Sequence, residues 1–253
     1  MSNRIKLSII TIVFNGERCI EKTIQSVISQ NCDFIEYIII DGDSKDRTLE
    51  IINKYIDNID ILISEKDSGI YDAMNKGIHN SNGEWLYFLN AGDFLSENDT
   101  LRNIEDLLNS QNNSIIYSDV FLYSLKDSRV ISRYSCEHVS KNLIHQAVIY
   151  RKSLHHDYGE YLSYKGVSIS DYLFFSMLDN KLFLKINNPI AFYDISGISN
   201  SSWSCDQKFT IDFLLGNINK CEFIIRLLFY PLRYNYLRLK LKYFTSNVSR
   251  NEK

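Results

Sequence analysis

Four aspartates stand where chemistry could be done: Asp41, Asp67, Asp93 and Asp171. Asp41 opens Asp41-Gly42-Asp43-Ser44, directly after the apolar run Ile38-Ile39-Ile40. A carboxylate at that point can accept hydrogen bonds from a nucleobase or a ribose, while Asp43 or Ser44 can cap a following helix; the two uses involve different residues. Residues 65–77 crowd acids, amides and small residues into a loop that enters a helix. Asp67 and Asn75 could reach a nucleotide from there, and Asp72 equally fits an acid favoured by the dipole of a first helical turn. Asn90-Ala91-Gly92-Asp93 follows Trp85-Leu86-Tyr87-Phe88-Leu89. A diphosphate with a divalent ion needs hard oxygen ligands at the end of a rigid element; Asp93 offers one, and Gly92 permits a close backbone approach. Taken alone, those four letters also describe an ordinary turn. Asp171, in Ser168-Ile169-Ser170-Asp171-Tyr172, can serve as a general base or as a helix N-terminal acid beside a serine cap.

The elements that must position these groups follow from hydrophobic period. Residues 6–14, 36–42, 59–65 and 84–90 read as strands; residues 17–30, about 43–55 and 70–80 read as helices, the first from the stripe Ile20, Ile24, Val27, Ile28. The order β-α-β-α-β-α-β predicts a mostly parallel sheet with helices on both faces. Ligands in such sheets bind beyond the carboxyl ends of the strands. Asn15, Asp41, Glu65 with Asp67, and Asn90 with Asp93 all fall there. The second half is less regular: strands near 114–123, 129–134, 147–151 and 182–195, and a helix near 171–180.

Composition narrows the class. The 253 residues carry a net charge of −3, so no basic field for nucleic acid is expected. Five scattered cysteines without CxxC spacing suggest neither a disulfide framework nor a zinc site. The apolar run after Lys6 is rich in β-branched residues and ends in Asn15-Gly16-Glu17, which reads as a buried strand, not a signal peptide. No GxGxxG follows it, which excludes the usual dinucleotide fingerprint.

The words LSIITIVFNGE, IIIDGDSKDRT, SEKDSGIYDAMNKGI, GEWLYFLNAGD, HQAVIYRKSL, SISDYLFFSML and ISGIS occur in this order over residues 6–199. In them the chain resembles glycosyltransferase family 2, inverting enzymes of the GT-A fold, and in particular bacterial members that build O-antigen, colanic acid and related polysaccharides. The resemblance implies an α/β, Rossmann-like, mostly parallel sheet flanked by helices. It implies that Thr11, Val13 and Asn15 line the nucleotide pocket, that Asp41 binds uracil or its equivalent, and that Asp67 supports the nucleotide or ribose. Asn90, Ala91, Gly92 and Asp93 fall at the DxD-type position, where Asp93 alone keeps its acid to hold Mn²⁺ or Mg²⁺. Asp171 matches the catalytic base. His145, in a His-Gln pair before a strand, meets diphosphate or acceptor, with a purely structural histidine as the other reading.

What this implies as a whole is transfer of a hexose or N-acetylhexosamine from a UDP-sugar to a lipid-linked saccharide in bacterial surface polysaccharide or O-antigen synthesis. The division expected is a transferase domain over 1–220, with a nucleotide half (1–95) and an acceptor half (96–220), and a helical, basic amphipathic segment over 221–253. From Cys221 onward the chain is aromatic, aliphatic and basic, with Arg226, Arg233, Arg238, Lys240 and Lys242 and no acid between Glu222 and Glu252. That pattern suits the cytoplasmic face of an inner membrane, or a helix packed on the domain. Two rivals stand. A sugar nucleotidyltransferase would need a glycine-rich basic loop that VFNGERC does not supply. A non-catalytic relative, acting as a carbohydrate-binding or membrane-tethered scaffold, would account for the missing DxD acids but not for Asp93 and Asp171.

Overall fold

Alternation organises the centre of the protein. Strand β1 (Leu7–Val13) is buried along its whole length. Leu7, Ile9 and Val13 belong to one hydrophobic cluster and Ile10 and Ile12 to another. The same division runs through β2 (Ile35–Asp41), with Tyr37 and Ile39 against Ile38 and Ile40, and through β4 (Trp85–Phe88), with Trp85 and Tyr87 against Leu86 and Phe88. Strands buried on both faces need helices on both faces. Here α1 (Ile20–Ile28), α2 (Thr48–Asn53) and α4 (Glu105–Leu108) supply one cluster, and α3 (Ile70–Asn80), α5 (Ser153–Tyr158) and α6 (Ser170–Ser176) supply the other.

The computed structural model describes residues 5–110, 112–137, 143–195 and 202–228. Besides β3 (Ile61–Ser64), the strands are β5 (Phe94–Leu95), β6 (Ile115–Tyr117), β7 (Val120–Ser124), β8 (Arg129–Tyr134), β9 (Val148–Arg151), β10 (Phe183–Lys185) and β11 (Ala191–Asp194). The main sheet runs β10-β6-β9-β4-β1-β2-β3, and a smaller one runs β5-β11-β7-β8. All pairings of the main sheet are parallel except those of β9, which runs against β4 and β6. The chain divides into two compact units, residues 1–197 and 198–253. In the second, α7 (Ser202–Leu214) is followed by a helix over 220–228. No described helix is long and apolar enough to cross a membrane. Arg233, Arg238, Lys240, Lys242 and most of ISGIS lie outside the described residues.

Several element boundaries differ from the sequence expectation; the stretch near 114–123, for one, is divided between β6 of the main sheet and β7 of the smaller one. The strand expected over 182–195 is divided, β10 joining the main sheet and β11 the smaller one, with Pro189 between them. The helix expected from Asp43 starts at Thr48, because Ser44 is engaged elsewhere and Asp46 accepts from the Thr48 N–H at 3.0 Å. The helix expected to reach residue 180 ends at Ser176.

At the amino end of the sheet, Glu36 is buried at 1% exposure. Its carboxylate accepts from the Ser8 hydroxyl, from the Asn82 side chain at 2.9 Å and from the Gly83 N–H at 3.1 Å. Burial alone would raise its pKa, but these donors outweigh it and hold the group below the usual glutamate value. Glu36→Gln therefore loses stability at neutral pH, by about 1–3 kcal/mol in urea unfolding. Because the folded pKa is depressed, the wild-type advantage is present at neutral pH and fades as pH falls through it. A pH-independent difference would contradict this account.

Candidate functional site

The carboxyl ends of β1, β2, β3 and β4 open on one edge of the main sheet. Antiparallel β9 enters that edge from the opposite direction. Tyr87 pairs with Ile149, and Tyr117 with Val148. The start of β9 therefore lies beside the ends of β4 and β6, and the 3₁₀ turn His145–Ala147 that precedes it is buried there.

On the β1–β3 side, Asp41 is fully buried. One oxygen, Oδ2, accepts from the Ser44 N–H at 3.1 Å and the Ser64 hydroxyl at 2.8 Å. The other, Oδ1, has no partner among the described residues. A buried carboxylate oxygen left open is a ready acceptor for a ligand N–H or O–H. Gly42 lies against Asp67: a Cβ there would stand 2.4 Å from Asp67 Oδ2 and 3.4 Å from the Phe14 ring. Asp67 Oδ1 accepts from the Gly69 N–H at 2.9 Å. Phe14 is 63% exposed, an aromatic face beside Gly42 that the strand pattern alone did not single out. Its exposure at the end of a buried strand was the available signal.

The residues expected to touch a nucleotide from β1 and α3 also have partners within the protein. Asn15, at φ 51°, donates its N–H to the Ser44 hydroxyl at 2.7 Å, and its side-chain oxygen accepts from the Lys45 N–H at 2.9 Å. It ties the β1 and β2 loops together. Thr11 is fully buried, its hydroxyl donating to the Leu89 carbonyl at 2.8 Å and lying 3.1 Å from the Tyr37 hydroxyl. Val13 is buried beneath Gly16. Asn75 grips the backbone of Tyr161, donating to its carbonyl at 2.8 Å and accepting from its N–H at 3.1 Å. Its amide is thereby engaged with the backbone that precedes α6.

After β4 the chain turns through Asn90-Ala91-Gly92-Asp93. Ala91 donates its N–H to the Ile12 carbonyl at 3.1 Å, and Gly92, at φ 104°, donates to the Thr23 hydroxyl at 3.0 Å. Asn90 Oδ1 is buried without a partner among the described residues. Asp93 is 4% exposed; it accepts from the Asp194 N–H at 2.8 Å and from the Gln146 side chain. Burial pushes its pKa up to about 8 against those two donors. Burial, and then the fields of Asp194, Asp93 and Asp46, push the nearby Cys19 thiol up to about 11. Acidic groups thus cluster here, with burial the larger influence on both. Among the described residues no group of three or more His, Cys, Asp or Glu is assembled to hold an ion alone. The donor chemistry nevertheless fits a divalent cation shared with a phosphate-bearing ligand: Asp93 as carboxylate, Asp194 beside it and the open Asn90 oxygen as hard donors.

Across the edge, Asp171 lies in the first turn of α6, with its side chain 28% exposed. Ser170 is engaged away from the helix start, its Oγ accepting from the Leu162 N–H at 2.6 Å. Asp171 Oδ1 accepts from the Tyr71 hydroxyl at 2.6 Å, and Oδ2 faces His145 Nδ1 at 3.7 Å. Burial lowers the His145 pKa, against the pull of Asp171. His145 and Gln146 thus divide the site, the first facing Asp171 and the second bonded to Asp93. Tyr71 escaped the sequence reading because a tyrosine in a helix reads as core.

The Glycosyl transferase family 2 model matches residues 8–168. A "PGL/p-HBAD biosynthesis glycosyltransferase" of Mycobacterium bovis (strain BCG / Pasteur 1173P2) is 33% identical over 172 residues, 65% of this chain and 67% of that protein. The poly(ribitol-phosphate) beta-N-acetylglucosaminyltransferase TarP of Staphylococcus aureus (strain N315) is 29% identical, over 85% of this chain and 59% of its own. The crystal structure of S. aureus TarS 1–349 in complex with UDP-GlcNAc superposes with a TM-score of 0.65 at 16% identity, over 86% of this chain and 69% of that one. The fold is GT-A.

Asn75→Ala strands the buried N–H and carbonyl of Tyr161. We expect a loss of about 2–4 kcal/mol in thermal or urea unfolding, with ligand absent. An unchanged midpoint would show that the clamp is not structural.

Proposed function

This chain belongs to glycosyltransferase family 2, and on that premise we propose that it moves a hexose or N-acetylhexosamine, with inversion, from a UDP-sugar to a lipid-linked saccharide during synthesis of a bacterial surface polysaccharide such as O-antigen. The observation that carries this reading is the placement of Asp171. A partly exposed carboxylate, oriented by Tyr71, faces the same sheet edge as the open Asp41 oxygen and the buried Asp93.

Uracil presents one ring N–H, and Asp41 has one open oxygen to receive it. Phe14 offers a face for the base. Asp67, held by Gly69 and given room by Gly42, is set for the ribose. A divalent ion, when bound at Asp93 with the diphosphate, would supply charge neutralisation to the departing nucleotide. Asp194 and the Asn90 oxygen would share in holding it. On the opposite side of the sugar, Asp171 accepts the acceptor hydroxyl's proton as that oxygen attacks the anomeric carbon. The Tyr71 hydrogen bond fixes the carboxylate's orientation, which keeps it within reach.

Support for a lipid-borne acceptor comes from the second unit, where Leu214, Ile225 and Leu228 are exposed among the helices over 202–228. The basic run that follows in the sequence would favour an anionic membrane surface. TarP, by its name, transfers N-acetylglucosamine to poly(ribitol-phosphate), and TarS is known in complex with UDP-GlcNAc.

Asp171→Asn should lower turnover by about 10²–10⁴-fold while calorimetric UDP binding stays within a factor of about two of wild type. Gly42→Ala, which forces Asp67 aside, should weaken UDP binding with little change in unfolding midpoint. Release of UDP from a UDP-sugar with membrane-extracted lipid acceptor is the activity to follow. Full turnover by Asp171→Asn removes it as base; absence of UDP binding by the wild type overturns the donor assignment.

A further inference from the structure

Behind Asp171 lies a run of buried polar side chains. His155 Nδ1 lies 2.9 Å from the Gly159 carbonyl, and its Nε2 lies 3.0 Å from the Tyr150 hydroxyl. The Tyr150 and Tyr161 hydroxyls are 2.8 Å apart, and Tyr161 stands 3.3 Å from His145 Nε2. His145 Nδ1 then faces Asp171 Oδ2. The run begins on an acceptor and ends at the base.

We propose that this chain fixes the tautomer of His145, with the proton on Nε2, and thereby keeps Asp171 Oδ2 free of a hydrogen-bond donor and basic. The inference rests on Asp171 being the base of the proposed transfer. The polarity follows link by link. A carbonyl only accepts, so His155 holds its proton on Nδ1. Burial, the largest influence, lowers the His155 pKa to about 4, so near neutral pH its Nε2 is bare and accepts from Tyr150. Each hydroxyl has one proton to give. Tyr150 therefore accepts from Tyr161, and Tyr161 from His145 Nε2–H. Burial pushes both tyrosines above their ordinary value and keeps them protonated. With His145 neutral, its Nδ1 is left bare.

The other end of the chain agrees independently. His145 Nδ1 is buried and has no hydrogen-bond partner among the described residues. Its 3.7 Å separation from Asp171 Oδ2 is too long for a hydrogen bond and suits two facing lone pairs. In the opposite tautomer an Nδ1–H would donate to that oxygen and weaken the base. His145 is thus a positioning residue. In the step it serves, the acceptor O–H bond breaks and its proton becomes a carboxyl O–H on Asp171. The freed electron pair forms the bond to the anomeric carbon, and the carbon–diphosphate bond breaks with its electrons on the leaving oxygen. Besides Asp171, the charged or titratable groups facing this chain are Tyr71 beside the base, and His79 and Glu160 beside His155.

The test is ¹⁵N NMR of the histidine-labelled full chain, read with kinetics. The wild type should show His145 as the Nε2–H tautomer near neutral pH. Tyr161→Phe, which removes the acceptor for that proton, should mix or invert the tautomer and lower kcat roughly tenfold or more. It should also shift the acid limb of the kcat profile to lower pH and leave the KM for UDP-sugar within about twofold. His145→Asn, whose amide oxygen can stand in for the bare Nδ1, should retain more turnover than His145→Phe. An Nδ1–H tautomer in the wild type overturns the proposal, as does a folded Tyr161→Phe with wild-type kcat and pH profile. The wild-type spectrum needs neither turnover nor a variant. Its failure is therefore distinct from failure of Asp171 as base, which shows as full turnover by Asp171→Asn.

Discussion

The insertion of one antiparallel strand governs the site. A wholly parallel sheet brings only carboxyl ends to its ligand edge, and the loops there lead away into helices. Reversing β9 between β4 and β6 sends the start of a strand to that edge instead. The turn before it carries His145 and Gln146 on adjacent positions, and they reach opposite halves of the site: one faces Asp171, the other bonds to Asp93. The strand hydrogen bonds fix the turn, and with it the positions of both side chains. Displacing β9 would disturb both at once.

The fold also shows how neighbours decide what a buried carboxylate does. Glu36 is surrounded by donors and stays ionised as a structural staple. Asp93, nearly as buried but with fewer donors and with acidic neighbours, is pushed upward. Asp41 is half satisfied, with one oxygen engaged and one open. Asp171 is partly exposed and oriented by a single hydroxyl. One side-chain chemistry is left in four different states because the count and direction of donors differ.

Much of this was legible in the sequence. The alternating strands and helices of the first half were, because strands buried on both faces leave long apolar runs that end at polar residues. The row Asp41, Asp67, Asp93 was legible for the same reason. What was not legible depends on pairings between distant residues. Asn75 and Thr11 carry types that suit a ligand, yet their partners, Tyr161 and Leu89, lie 86 and 78 positions away. The orientation of β9 leaves no trace in its own letters, since Val148-Ile149-Tyr150 reads alike in either direction. Tyr71 and Tyr161 look like core until their hydroxyl partners are known. The division of the 182–195 stretch between two sheets was likewise invisible, although Pro189 marks the place.

With Asp171 as base and Asp93 as ion site, the β9 turn sets the base on one side of the sugar and the diphosphate on the other. Attack must then come opposite the leaving group. The measurement that meets this most directly is the anomeric configuration of the product, read by proton NMR coupling after transfer from an α-linked UDP-sugar to the lipid-borne acceptor. The account predicts a β-linkage formed in a single displacement. An α-linked product would mean retention and would contradict it.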